Sequence, residues 1–234
     1  MDYNISADSY SRDIQRVQQA FLTKVYGWMM LGLLLTSVTA VFTASSEVML
    51  SFVFSSKLTF YGLIFAQLGL VVYLSARIQK MAASTATLVF LAYAILTGIT
   101  LSSIFAVYKT DSIATTFLTS ALMFGGMSLY GFVTKRDLNG MGQFMMMGLF
   151  GIVIASLLNI FFQSDDLSWI ISFIGVIVFT GLTAYDTQKM KSMSYVMMEG
   201  SEVARKGAIM GALTLYLDFI NLFLMLLRLF GSRR

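Results

Sequence analysis

Seven long stretches of this sequence are almost free of charge, and that constrains its fold more than any other feature. The 16 Lys and Arg and 12 Asp and Glu residues are clustered, leaving uncharged runs at 25–46, 58–76, 81–108, 112–134, 138–164 and 167–185. A seventh run, 207–227, is interrupted only by Asp218. About 20 apolar residues of helix suffice to cross the hydrocarbon core of a bilayer, and every run has close to that length. Only 12% of the chain is charged and its mean hydropathy is +0.78, whereas soluble domains carry about 25% charged residues. The expected fold is an all-α integral membrane protein, a seven-helix transmembrane bundle. Its spans are expected near 25–46, 57–77, 84–107, 112–134, 141–163, 167–189 and 208–229. Residues 1–24 form a polar cytoplasmic tail in this reading, and 231–234 a short basic one.

Nearly the whole chain is used in crossing, which leaves no room for a soluble catalytic domain. The N-terminal 24 residues are polar and carry both charge signs, unlike a short basic n-region or a transit peptide, so the first span is expected to be uncleaved. With no cysteine there is neither a disulfide framework nor a thiol site. The absence of histidine removes a Ser triad and an HExxH zinc site. The net charge of +4 does not imply nucleic acid, since the basic residues flank spans, where they anchor and orient.

Orientation follows from Lys and Arg counted on alternate sides. The N-terminus and the second, fourth and sixth connections hold 11 of them: Arg12, Arg16, Lys24, Arg77, Lys80, Lys135, Arg136, Lys189, Lys191, Arg205 and Lys206. The opposite side holds five, Lys57, Lys109, Arg228, Arg233 and Arg234. The N-terminus is therefore expected in the cytoplasm. Seven spans would place the basic C-terminal tail outside, and a re-entrant last helix is the alternative topology. The polar connection at 191–206 is the longest, a candidate mobile or regulatory segment as well as an ordinary loop.

Proline is absent, so kinks must arise from glycine, from serine or threonine, or from local bulges. In the seventh span Gly207, Gly211, Thr214, Asp218 and Asn221 recur at spacings of 4, 3, 4 and 3, which aligns small and polar groups on one stripe. Gly207 and Gly211 form a GxxxG pair, a spacing that lets two membrane helices approach closely. The other faces are apolar, so this helix is expected at the centre of the bundle with its seam toward another polar helix.

Asp218 lies at bilayer depth, where a carboxylate costs about 2.5 to 3.5 kcal/mol even on the lenient insertion scale. The other acid at such depth is Asp186, in TGLTAYDTQKM on the sixth span, an antiparallel neighbour of the seventh. The two meet only if the sixth helix continues past Lys189 or the seventh begins nearer Gly211. Buried together, two carboxyls share one proton and titrate as a unit. Without histidine, pH sensing in the bundle falls to carboxylates. Once fully ionised, the pair repels and spreads the helices or attracts a hard cation such as Ca²⁺, although two carboxylates alone make a weak, leaky site. Asp186 and Asp218 are thus the candidate pH sensor and ion-binding residues, with no cofactor beyond transient Ca²⁺. Arg77, ending the second span, is either a latch for Asp186 or a plain cytoplasmic anchor. Gln67, Thr97, Thr100, Asn159, Thr214 and Asn221 are candidate linings of a water path, and each equally suits a packing hydrogen bond.

The segments AYDTQKM, LTLYLDFINLFLMLLRLFG and LTGITLSSIF resemble the signature segments of the transmembrane Bax-inhibitor-motif family, in its bacterial branch. The similarity runs from about residue 20 to the C-terminus. It implies a seven-helix bundle in a bacterial inner membrane, with the last helix in the middle and an aspartate pair acting as pH sensor for a calcium leak. The pair falls on Asp186 and Asp218, and the family's arginine latch on Arg77. The acid that some members carry on the second helix has no counterpart, Gln67 being the nearest polar position.

Three functions compete at this point. The first is a pH-gated cation leak. The second is a regulatory membrane protein that binds another membrane protein, such as a quality-control protease, without transport of its own. The third is an intramembrane aspartyl protease, which would explain Tyr185–Asp186. It fails because Leu215, Tyr216 and Leu217 precede Asp218 where Gly-x-Gly is needed, and because a Pro-Ala-Leu element needs proline.

Overall fold

A computed structural model describes the backbone of residues 2–54, 56–194 and 201–234, with side chains except those of 2–15, 52, 54 and 57. The described backbone forms α1 (Asp2–Ser45), α2 (Glu47–Phe54), α3 (Lys57–Arg77), α4 (Ala83–Leu101), α5 (Ile104–Val107), α6 (Thr110–Val133), α7 (Asn139–Phe162), α8 (Asp165–Met193) and α9 (Glu202–Phe230). Helix is the solution that satisfies every backbone group within a single segment when no water is at hand. Seven stretches are long and apolar enough to span: Arg16–Ser45, Leu58–Arg77, Ala83–Val107, Thr110–Val133, Asn139–Phe162, Asp165–Met193 and Glu202–Phe230. The chain is an all-α seven-span membrane protein.

Several boundaries differ from the charge-free runs for physical reasons. The helix of the first span starts at Asp2, so the polar N-terminal tail is itself helical, continuous with the span. The third span is broken into α4 and α5 at Ser102 and Ser103. There Ser102 Oγ donates to the Ile99 carbonyl at 2.7 Å and Ser103 Oγ to that of Thr100 at 2.9 Å, giving the backbone a local alternative to the helical ladder. The sixth span continues past Lys189 to Met193, one of the two arrangements under which the aspartates could meet. The seventh does not begin late, for α9 starts at Glu202. Residues 195–200, the middle of the connection singled out for regulation, lie outside the described residues. No break interrupts α9 over its 29 residues, so a re-entrant turn has no place in it.

The chain divides into two compact units. The first comprises Met1–Ser103 with Met190–Leu213. In it α1 packs on α4: Thr36 Oγ1 donates to the Ala94 carbonyl at 2.9 Å, and Gly98 lies against the Thr36 carbonyl with no room for a β-carbon. Leu22, Val25, Met29, Leu33, Thr36 and Ala40 recur every three or four residues and form the buried stripe of α1. Gly211 lies in close packing, since a β-carbon there would stand 2.7 Å from Met190 Sδ and 3.2 Å from Val25. Gly207 is half-buried and lines a cavity of about 410 Å³ together with Ile78, Gln79, Met193, Val203, Lys206 and Met210.

The second unit comprises Ile104–Lys189 with Thr214–Arg234. Its aromatic centre is Phe219, edge-on to Phe117 at 5.2 Å and to Phe124 at 5.6 Å. Residues 231–234 are tied to the α5–α6 turn by Lys109 N–H to Ser232 O at 3.0 Å and Arg234 N–H to Val107 O at 3.0 Å. Burial ranks the helices clearly. In the most apolar window of α9, 72% of the residues are buried, against 6% for α3 and for α7. The last helix has the enclosure of a central one, and its polar seam carries Asp218.

Candidate functional site

The site is built around the segment Ala184–Lys189 of α8, within the second unit. Four of its residues are committed to α6, α7 and the turn joining them. Gly131 of α6 meets the Ala184 backbone so closely that a β-carbon would collide with the Ala184 carbonyl. Gly142 of α7 lies against the ring of Tyr185 with equally little room. Thr187 Oγ1 donates to Ser128 Oγ of α6 at 3.3 Å. Gln188 closes the arrangement, its Oε1 accepting from the Leu138 N–H at 2.9 Å and its Nε2 donating to the Arg136 carbonyl at 2.8 Å. Small residues permit this close approach, and side-chain hydrogen bonds hold it.

Asp186 is thereby held at a fixed rotation and joins Asp218 of α9. The two carboxyl groups share a hydrogen bond. Their side chains are enclosed, with residue exposures of 4% for Asp186 and 5% for Asp218. Two carboxyl groups can hydrogen-bond directly only when one carries a proton, because an ionised carboxylate has no donor. Asp218 Oδ2 has no hydrogen-bond partner among the described residues. A second ionisation would leave a buried anionic oxygen without a protein donor, next to a like charge.

The remaining sequence candidates are distributed differently. Gln67, Thr97 and Thr100 form one network in the first unit: Gln67 Nε2 donates to Thr100 Oγ1 at 2.5 Å and Thr97 Oγ1 to Gln67 Oε1 at 3.4 Å. This ties α3 to α4. Asn159 finishes α7, with Nδ2 donating to Ser168 Oγ at 2.7 Å and Oδ1 accepting from Ser164 N–H at 3.0 Å. The turn needs this support because Gln163 adopts φ 49°, in the left-handed region. Asn221 donates to the Leu217 carbonyl of its own helix at 2.8 Å. Thr214 is half-buried on the stripe one turn before Asp218. Arg77 is exposed at the end of α3, and its side chain makes no ion pair with a described residue. The cation one turn from Asp186 on its own helix is Lys189, whose Nζ stands 5.8 Å from the centroid of the Tyr185 ring.

No cluster of three or more His, Cys, Asp or Glu side chains occurs among the described residues. Ca²⁺ takes six to eight oxygen ligands. Two carboxylates alone fall short of such a shell.

The whole-chain comparison agrees with this architecture. Residues 18–234 match the family model described as "Inhibitor of apoptosis-promoting Bax1". The chain belongs to the Bax inhibitor family. Among its relatives is the "Inner membrane protein YbhL" of Escherichia coli K12, 55% identical over 217 residues that cover 92% of this chain and 93% of that protein. A protein of Borreliella burgdorferi is 46% identical over 93% of this chain and 94% of its own length. One of Rickettsia prowazekii is 45% identical over 100% of this chain and 99% of its own. In this Bax inhibitor family chain, the sequence alone singled out Asp186 and Asp218 but missed Gln188, Gly131 and Gly142 as the groups that orient the pair. The density of polar residues in YDTQK was a signal for Gln188. Nothing distinguished the two glycines among 18.

Proposed function

We propose that this protein is a pH-gated cation leak of a bacterial inner membrane, with calcium as the cation and Asp186–Asp218 as the gate. The observation that carries the reading is the hydrogen bond between two enclosed carboxyl groups on the two most buried spans. The proton they share holds α8 and α9 together and closes the path. Its loss places two negative charges side by side, which drives the carboxyls apart and offers oxygen ligands to a hard cation. The role is transport rather than catalysis. The inner-membrane location is supported by the printed name of the Escherichia coli relative and by seven apolar spans. A cytoplasmic N-terminus is supported by the Lys and Arg asymmetry of the connections.

The test is flux in reconstituted vesicles loaded with a calcium dye. Wild-type flux rises with pH, and Asp218→Asn, which keeps a hydrogen-bonding group but cannot ionise, removes that dependence. An Asp218→Asn profile identical to wild type ends the proposal. The family description, which names inhibition of another protein, favours a second reading: a regulator of a membrane protease or stress response in which the pair only holds the bundle together. That reading predicts no flux from wild type, and loss of function when residues 1–20 are exchanged for an unrelated polar segment.

A further inference from the structure

The cavity of about 410 Å³ in the first unit is bounded by the turn after α3, the end of α8 and the start of α9. Ile78, Met193, Val203 and Met210 give it apolar walls, and its size is in the range of small-molecule sites, about 300–1,000 Å³. One of its described lining residues is charged, Lys206. The lysine side chain is only 18% exposed, so it does not extend into bulk water as one at a helix end ordinarily does. Its Nζ instead donates to the Gln79 carbonyl at 3.3 Å and pairs with Glu202 Oε1 at 3.4 Å. An ammonium group has three donors, and among the described residues these two contacts leave one for a further acceptor.

We propose that this cavity binds an anionic phospholipid of the surrounding bilayer, with an acyl chain against Ile78, Met193, Val203 and Met210 and the phosphodiester at Lys206. The lining residues all belong to the first unit, whereas Asp186 and Asp218 belong to the second. A lipid can therefore occupy the cavity whether or not the protein conducts.

Charge decides the class of lipid. Residues 77–80 and 202–206 hold the cations Arg77, Lys80, Arg205 and Lys206 against a single acid, Glu202. Glu202 is 60% exposed, and an ion pair so open to water is weak, which leaves its hold on Lys206 easily exchanged for a phosphate oxygen. Arg77, Lys80 and Arg205 are exposed at the same helix ends. Basic pockets of this kind between membrane helices select anionic headgroups, and a zwitterionic lipid such as phosphatidylcholine brings a cation that the same residues repel. Seven apolar spans keep the protein in lipid, so an apolar recess at the ends of three of them meets acyl chains at high local concentration.

The experiment places the full-length protein in phosphatidylcholine nanodiscs with a small share of a photoactivatable lipid, either phosphatidylglycerol or phosphatidylcholine with a diazirine on one acyl chain, and locates insertion by mass spectrometry. At Met193, Val203 and Met210 the phosphatidylglycerol probe inserts about fivefold more than the phosphatidylcholine probe, the share that one cation contributes beside an anionic headgroup. At Phe65, an exposed residue on the lipid-facing side of α3, the two insert equally. Lys206→Gln brings the cavity preference down to the value at Phe65, and Lys206→Arg keeps it. Val203→Trp fills the cavity from an exposed position and removes insertion at Met193 and Met210 with both probes. A wild-type preference no greater in the cavity than at Phe65 overturns the proposal, as does a preference unchanged by Lys206→Gln or insertion that survives Val203→Trp. Absence of insertion at Met193 and Met210 with either probe overturns it too, because the chain itself then closes the cavity. Displacement of the phosphatidylglycerol probe by inorganic phosphate, beyond what chloride of equal ionic strength achieves, assigns the lysine to a dissolved anion and overturns the lipid. Should a variant fail to fold, the wild-type comparison between the cavity and Phe65 decides alone.

Discussion

Gly131 of α6 and Ala184 of α8 are in backbone contact, so near that a β-carbon on the glycine would meet the alanine carbonyl. The contact lies half a turn from Asp186 and fixes how far α8 can rotate relative to α6. A side chain there must separate the helices. Gly131→Val is therefore expected to destabilise the second unit by about 1–3 kcal/mol, the range for overpacking, and to broaden the pH response. Gly125→Ala is the control, because nothing lies within 4 Å of a β-carbon at that position. Equal unfolding midpoints for the two variants would remove the contact from the account.

Gln188 ties α8 to both ends of the α6–α7 turn, through Leu138 N–H and the Arg136 carbonyl. Gln188→Ala removes the acceptor that protects the Leu138 amide. Hydrogen exchange at Leu138 should accelerate by roughly tenfold, as loss of about 1.4 kcal/mol of protection implies. Gln188→Glu keeps the acceptor and loses the donor, so Leu138 should stay protected while the Arg136 end loosens.

Gln67, Thr97 and Thr100 offer a test between packing and path lining. Gln67→Leu breaks the hydrogen bonds that join α3 to α4 and should cost about 0.6 to 1.7 kcal/mol, the range measured for such bonds between membrane helices. Calcium flux and its pH profile should be unchanged. A flux lowered severalfold in a stable Gln67→Leu protein would assign these residues to the path instead.

Gly211 stands 2.7 Å, by way of a β-carbon, from Met190 Sδ, and the approach belongs to the first unit. Gly211→Leu should destabilise that unit, whereas Gly211→Ala needs only a displacement of the flexible Met190 side chain and should cost less than about 1.5 kcal/mol. Unfolding in mixed detergent micelles reads both.

How much of this was legible in the sequence depended on the length scale of the force involved. The bilayer acts over about 20 residues, so charge-free runs of that size revealed the seven spans without any knowledge of contacts. The cost of a buried carboxylate is large enough that Asp218 stood out singly, and the stripe through Gly211 and Asn221 gave its direction. Asp186 followed as the acid at comparable depth on an adjoining helix. The break at Ser102 and Ser103 was concealed because serine is common in membrane helices and its bond to a preceding carbonyl is a local choice. Gly142, Gly131 and Gln188 act through residues 40 to 60 positions away, a separation at which periodicity carries no information. Arg77 carried the charge and the expected side for a latch, and the structure places its exposed side chain at the end of α3.

The central claim is that Asp186 and Asp218 hold one proton between them, and difference infrared spectroscopy of the carboxyl region across a pH titration tests it most directly. The account predicts a single protonated-carboxyl band that titrates as one unit in the wild type, with Asp186→Asn and Asp218→Asn each abolishing that shared transition. Two independent transitions, with each variant removing only its own, would contradict a shared proton and with it the gate.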